Sequence, residues 1–181
     1  GKLNLSVIPT IAPFLLPLFL QDFASQFPDL NIVVKEETTE EIVKKIKSRE
    51  IDIGIVSIPL TDKEILEIKL YDEPFVFYDA LNISKGKVSI NNNMSERICL
   101  MDEGHCMRTQ MLELCNPSRK KLKSVLNIEY KAGSIDGLTR FVKLNQLTTL
   151  LPYLSILSFT NDESKYVSVF CKLPIFSTVQ K

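Results

Sequence analysis

The one histidine of the chain stands directly before a cysteine, in Gly104-His105-Cys106-Met107-Arg108. A thiol reacts as its thiolate, so a working cysteine needs a stabilised anion, partial access and a route back to the reduced state. The apolar run Arg97-Ile98-Cys99-Leu100-Met101 reads as a strand, and Met107, Met111 and Leu114 follow at helical spacing. Cys106 therefore falls at a strand-to-helix junction, where helix N-terminal amides favour an anion. Arg108 adds positive charge, and His105 can donate a hydrogen bond or a proton. Together these groups would lower the thiol pKa.

A second cysteine, Cys115, lies nine residues on. Along an intact helix that spacing separates the two Cα atoms by about 13.5 Å and puts the side chains on opposite faces. A disulfide needs Cα atoms roughly 4.4–6.8 Å apart. The two thiols can therefore bond only if the segment unwinds and repacks. An ordinary reading stands beside this one. Cysteine is among the most buried residue types, and such a spacing also arises by chance. A lone histidine is more often structural, and Arg108 with Arg119, Lys120, Lys121 and Lys123 is more often solvated surface than a binding site. Cys99 in its apolar run and Cys171 beside Phe170 read as core or edge residues.

The elements around these residues alternate. Leu3, Leu5 and Val7 form a period-2 strand, and Pro13 suits the first turn of a helix carrying Leu15, Leu16, Phe19, Phe23 and Phe27. Pro17 lacks a backbone donor and is expected to bend that helix near its start. Asn31 to Lys35 is a second strand. Thr38-Thr39-Glu40-Glu41 opens a helix with a capping threonine and early acids, and Ile51 to Val56 is a third strand. This β-α-β-α-β order predicts a parallel sheet with helices on its faces. Ligands of such sheets bind at the strands' carboxyl ends, where Thr10 and Thr39 fall. Taken by themselves, both threonines read more readily as plain helix caps.

Beyond Tyr71-Asp72-Glu73-Pro74, Phe75 to Tyr78 is a new strand, Asn91 to Asn93 a turn and Ile128 to Tyr130 a strand. Ser134-Ile135-Asp136 starts a helix, and Thr148 to Leu151 is a strand ended by Pro152. The expected organisation is a lobe over residues 1–74, a second lobe over 75–172 carrying the cysteines, and a segment 173–181 returning to the first. No closing strand or helix is expected at that end.

Composition narrows the function. Apolar residues make up 45% and charged residues 24%, as in ordinary globular proteins. Lys+Arg and Asp+Glu are balanced at 22 each, so no global field draws this piece to DNA, RNA or an anionic membrane. No apolar run approaches the ~18 residues that span a bilayer. Gly1-Lys2-Leu3 opens a strand pattern rather than a signal peptide. Four irregularly spaced cysteines then point to a reducing cytoplasm. No cofactor and no metal is expected.

Several of these stretches resemble one family. Gly1-Lys2-Leu3-Asn4-Leu5-Ser6-Val7-Ile8-Pro9-Thr10, Phe27-Pro28-Asp29-Leu30 and Ile51-Asp52-Ile53-Gly54-Ile55 resemble the effector domain of LysR-type transcription regulators. Gly104-His105-Cys106-Met107-Arg108-x-Gln110, ending at Cys115, resembles the defining segment of the OxyR-type hydrogen-peroxide sensors within it. Gly133 to Leu138 and Thr149 to Pro152 follow in the family's order.

The resemblance implies an α/β, two-lobe fold like that of periplasmic binding proteins, with mostly parallel central sheets, and a winged helix-turn-helix domain ahead of Gly1. It implies that peroxide oxidises Cys106 to a sulfenic acid, that Cys115 condenses with it into a disulfide, and that the change of shape switches transcription. Thr10 and Thr39, with Gly104, His105 and backbone amides, would hold peroxide against Cys106, and Arg108 would support the thiolate. The implied partners are further copies of the chain in a homodimer or homotetramer, with DNA and RNA polymerase reached through the full-length protein. Two departures stand out. Leu144-Asn145-Gln146-Leu147 lacks the family's usual glycine. No arginine follows Arg140, so the role of the family's late arginine either falls to Arg108 or is missing.

Three rival functions remain. They are an effector domain binding a small metabolite with the cysteines incidental, a thiol peroxidase, and a periplasmic binding protein. The absence of an enzyme's ready partner thiol and of an export signal argues against the last two.

Overall fold

The computed structural model describes residues 1–60, 62–81, 97–115, 130–169 and 175–180. They divide into two compact units, Gly1–Glu73 with Pro174–Lys181 and Pro74–Leu173, each built around its own sheet.

In the first unit β1 (Lys2–Val7) pairs in parallel with β2 (Asn31–Glu36), from Lys2↔Asn31 to Val7↔Glu36, and with β3 (Ile53–Ile58). Two helical crossovers make this parallel core. The first is interrupted: α1 (Ala12–Leu15) passes into a 3₁₀ turn at Leu16–Leu18 before α2 (Leu20–Gln26). Pro17 thus breaks the helix rather than bending it, because it offers no N–H and its ring crowds the preceding turn. The second crossover, α3 (Thr39–Lys47), starts with a complete capping box. Thr38 donates its N–H to Glu41 Oε2 at 2.8 Å, and Thr38 Oγ1 accepts from the Glu41 N–H at 3.4 Å. Its Ile42 and Ile46 are fully buried. Gly54, Ile55, Val56 and Ser57 of β3 are buried in succession, as in a strand covered on both faces.

The sheet order is β2-β1-β3-β8-β4, with β4 spanning Leu66–Asp72 and β8 spanning Ile175–Gln180. β8 runs antiparallel to both neighbours. This corrects the expectation of no closing strand. Ile175-Phe176-Ser177-Thr178-Val179 is rich in the β-branched and aromatic types that pleated sheets accommodate, and it pairs from Ile58↔Ile175 to Gly54↔Val179. The fold is the expected α/β class, but its sheets are mixed, with the parallel pairing concentrated in β1 to β3.

The second unit has β5 (Phe75–Asp79) between β6 (Thr148–Pro152) and β7 (Val167–Val169), antiparallel to both. Every residue of β5 and β6 is buried. The expected strand at Arg97 to Met101 forms only two isolated parallel bridges, Ile98↔Thr148 and Met101↔Ala132. Its backbone changes neighbour halfway. The Cys99 N–H donates to Thr148 O at 2.8 Å, whereas the Asp102 N–H donates to Ala132 O at 3.0 Å, so no continuous ladder can run.

Helix α4 (Cys106–Cys115) follows, then α5 (Ile135–Leu144), whose cap Ser134 accepts the Gly137 N–H at 3.1 Å. Short helices α6 (Tyr153–Ile156) and α7 (Asn161–Ser164) complete the unit. In the turn without the usual glycine, Gln146 takes the left-handed conformation with φ 55°, and Arg97 donates to its carbonyl. The expected turn at Asn91 to Asn93, the basic run from Arg119 to Lys123, Cys171, and Ile128 and Glu129 of the expected strand lie outside the described residues.

Candidate functional site

The backbone ahead of α4 assembles from short-range hydrogen bonds. Met101 and Asp102 are tied to Ala132 by the bridge and by the Asp102 N–H. The Asp102 carboxylate accepts the Glu103 N–H at 2.8 Å. Gly104 then turns the chain with φ 93°, a region that costs glycine little and other residues much. The Arg108 N–H donates to His105 O at 2.9 Å and closes the first turn. Finally the Arg108 guanidinium reaches back through Nη1 to the Met101 carbonyl at 2.8 Å.

Cys106 is the first residue of α4, half-buried, and carries a thiol. Gly104, His105, Cys106 and Arg108 are therefore gathered in one turn. His105 and Arg108 are half-buried beside it. Met107 and Met111, on the helical face predicted to be apolar, are buried at 2% and 0% exposure, and Met101 is also fully buried. Cys115 is the last residue of the same unbroken helix, about 13.5 Å from Cys106 at the usual helical rise.

Cys99 is a thiol of the opposite kind. It is buried, and burial pushes its pKa up to about 11 against the weaker opposing effect of the Leu100 backbone N–H. The Thr149 hydroxyl donates to its carbonyl at 2.9 Å. It belongs to the core, as its apolar surroundings in the sequence predict.

Thr10 and Thr39 stand in the first unit, each following a parallel strand. Neither caps a helix. The N-cap of α1 is Ile11, with no side-chain bond, and the cap of α3 is Thr38. Thr10 is buried at 2% exposure, and the buried Thr39 Oγ1 has no hydrogen-bond partner among the described residues. The capping alternative thus fails for both. Nearby, Glu37 accepts from the fully buried Ser6 hydroxyl at 2.7 Å and pairs with Lys45. Burial works to raise its pKa, but the hydrogen bonds from Lys45 and Ser6 and the charges of Lys45 and Lys35 outweigh it and hold the carboxyl low.

Sequence reasoning missed Asp102 and the Met101 carbonyl as builders of this turn. Asp102-Glu103-Gly104 does carry a turn signal, but a main-chain acceptor has no signature of its own. Among the described residues no group of three or more His, Cys, Asp and Glu is placed to hold a metal ion.

The model of the LysR substrate binding domain matches residues 1–168. The chain belongs to that family. It is 25% identical over 178 residues to the hydrogen peroxide-inducible genes activator of Haemophilus influenzae, covering 96% of this chain and 58% of that protein. It is 25% identical over 159 residues to the DNA-binding transcriptional dual regulator OxyR of Escherichia coli, covering 86% and 51%. Among solved structures, OxyR from Porphyromonas gingivalis superposes with a TM-score of 0.85 at 26% identity, covering all of this chain and 84% of that one. The chain thus spans about half the length of these curated relatives. The periplasmic-binding-protein-like α/β fold expected from the resemblance is the fold of this family.

Proposed function

We propose that this LysR-family chain is the regulatory domain of a hydrogen-peroxide-responsive transcription regulator, with Cys106 as the oxidised thiol. The observation that carries the reading is the contrast between the two described thiols. Cys106 opens a helix, half-buried, in one turn with His105 and Arg108, whereas Cys99 is sealed in the core and held protonated. The names of the relatives from Haemophilus influenzae and Escherichia coli support the same assignment.

The Cys106 thiolate attacks one peroxide oxygen. An S–O bond forms, the O–O bond breaks, and the departing hydroxide takes a proton, for which His105 or solvent is the donor, to leave as water. Cys106 is thereby oxidised by two electrons to the sulfenic acid. The Cys115 thiolate then attacks that sulfur. The S–S bond forms, the S–O bond breaks, and the oxygen leaves as a second water once protonated. Because α4 separates the residues by about 13.5 Å, closure requires the helix to unwind. A local bond becomes a change of shape, which suits a switch and would slow a peroxidase.

Thr10 and Thr39, neither of them a cap, are assigned to effector-binding hydroxyls, Gly104 and His105 to the thiol's immediate surroundings, and Arg108 to its support. In the full-length protein the domain acts with DNA and RNA polymerase, as a homodimer or homotetramer. Leu18 and Phe27 of the first unit are exposed, at 61% and 48%, and are apolar side chains that such assembly would cover. No helix among the described residues is long and apolar enough to cross a membrane, and we assign the protein to the cytoplasm.

Peptide mass mapping after stoichiometric peroxide tests the reading. A Cys106–Cys115 linkage, lost in Cys106→Ser and in Cys115→Ser, is the expected result. No linkage, or another pair, overturns the switch. The family's description as a substrate binding domain keeps a metabolite effector as the second reading. In that case Cys106→Ser would leave the response intact.

A further inference from the structure

We infer that Arg108 is a positioning residue for the reactive turn, acting as a clasp on the Met101 carbonyl rather than as a charge on the thiol. The inference rests on the proposed role of Cys106, and it reassigns what Arg108 does there.

The geometry is a closed loop. Met101 is fixed at one end by its bridge to Ala132, and the next residue donates its N–H to Ala132 O at 3.0 Å. The chain leaves this anchor through Asp102 and Glu103, turns at Gly104 with φ 93°, and enters α4 at Cys106. At this end the first helical turn is closed by the Arg108 N–H, which donates to His105 O at 2.9 Å. A glycine in this loop leaves its backbone few intrinsic restraints. The guanidinium of Arg108, at 2.8 Å from the Met101 carbonyl, returns from the helix to the anchor. It spans seven residues with one charge-assisted bond.

A hydrogen bond of this kind commits the guanidinium's direction. Its planar fork is rigid, so the group that fixes Nη1 on the carbonyl also fixes where the remaining charge lies. Arg108 thereby holds Gly104, His105 and Cys106 against the Met101–Ala132 bridge, which keeps the thiol at the helix start and in one orientation. The thiol keeps that orientation toward an incoming peroxide only while the turn is formed.

Clasp and charge make different predictions for Arg108→Met, which keeps a long side chain and removes both donors and charge, and for Arg108→Lys, which keeps the charge. Three readouts on the chain separate them: amide hydrogen exchange over residues 104–109, the pH profile of Cys106 alkylation by iodoacetamide, and the rate of Cys106 oxidation by peroxide. The expected result for Arg108→Met is exchange faster by about tenfold, the scale of one charge-assisted hydrogen bond. The alkylation midpoint stays at its wild-type pH, and peroxide oxidation slows by about tenfold. Arg108→Lys, with a single ammonium in place of the fork, recovers only part of the protection.

A midpoint displaced upward in Arg108→Met but restored in Arg108→Lys, with exchange unchanged in both, overturns the clasp in favour of the charge. Unchanged exchange with an unchanged midpoint also overturns it. Hydrogen exchange needs no peroxide, so a wild-type chain whose Cys106 ignores peroxide would refute the proposed function while the exchange data still decide the clasp.

Discussion

If disulfide closure waits for α4 to unwind, weakening that helix's attachment to the core should speed closure without speeding the first oxidation. Met111 is the residue to change. It lies in the second half of α4, fully buried, and Met107 one turn earlier is 2% exposed. Truncating a fully buried methionine to alanine costs about 2–5 kcal/mol, combining lost transfer energy with the cavity left behind. Unwinding α4 gives up that burial anyway, so Met111→Ala removes part of the cost in advance. If only half of the smallest estimate, about 1 kcal/mol, is expressed in the barrier, closure accelerates about fivefold; at about 1.4 kcal/mol it accelerates tenfold.

The assay follows peroxide-treated chain with a sulfenic-acid trap present or absent, and resolves the Cys106 adduct from the Cys106–Cys115 bond by peptide mass. The adduct should form at the wild-type rate, while the disulfide fraction at short times rises. Leu138→Ala is the control. Leu138 is fully buried in α5, so its loss should lower thermal stability comparably and leave closure unchanged. Equal closure rates in wild type and Met111→Ala, with the expected fall in stability, would refute helix unwinding as the barrier.

Other consequences are measurable separately. Cys99 has its folded pKa raised by burial to about 11 from an ordinary 9.0, so the folded state retains a proton that the unfolded chain releases. Its contribution is complete below about pH 9 and is lost as pH rises through about 11. Denaturant titrations at pH 8 and pH 10.5 should show wild type losing about 2 kcal/mol more than Cys99→Ala. Glu37 has its folded pKa held below 4.5 by Lys45 and Ser6, so its contribution is present above that pH and fades as pH falls through the lowered value. Acid unfolding monitored by circular dichroism should therefore be steeper in wild type than in Glu37→Gln. Gln146→Gly removes the left-handed strain of a residue with φ 55°, and should raise stability by about 0.5–1 kcal/mol in denaturant titration.

What could be read from the chain alone tracks how local the cause is. The capping box of Thr38 and Glu41 is a four-residue chemistry and forms as the pattern demands. The apolar face of α4 follows from Met107 and Met111 one turn apart, and both are buried. Pro17 announces a disturbance, although a break rather than a bend depends on what the following turn can pack against. Long-range pairings were less legible. Arg97 to Met101 has the composition of a strand, yet its hydrogen bonds pass from Thr148 to Ala132 and form two bridges. β8 finds its place between β3 and β4 because two unpaired edges await it, a fact held by neither neighbour's own sequence.

The candidate site divides along the same line. Cys106 and Cys99 are chemically identical and seven residues apart, and periodicity alone separates them only as strand from helix start. The distinction that matters is environmental. Cys99 has its backbone bonded to Thr148 and Thr149 and its sulfur desolvated, so its anion is disfavoured. Cys106 comes after a glycine turn that carries the chain away from those neighbours, at the N-terminal end of a helix, where the helix dipole favours an anion. The turn between them, closed by Asp102 and Arg108, converts one residue type into a core filler and a candidate sensor within a single segment. A perturbation of that turn should therefore change which thiol peroxide and alkylating agents find, even when neither cysteine is touched.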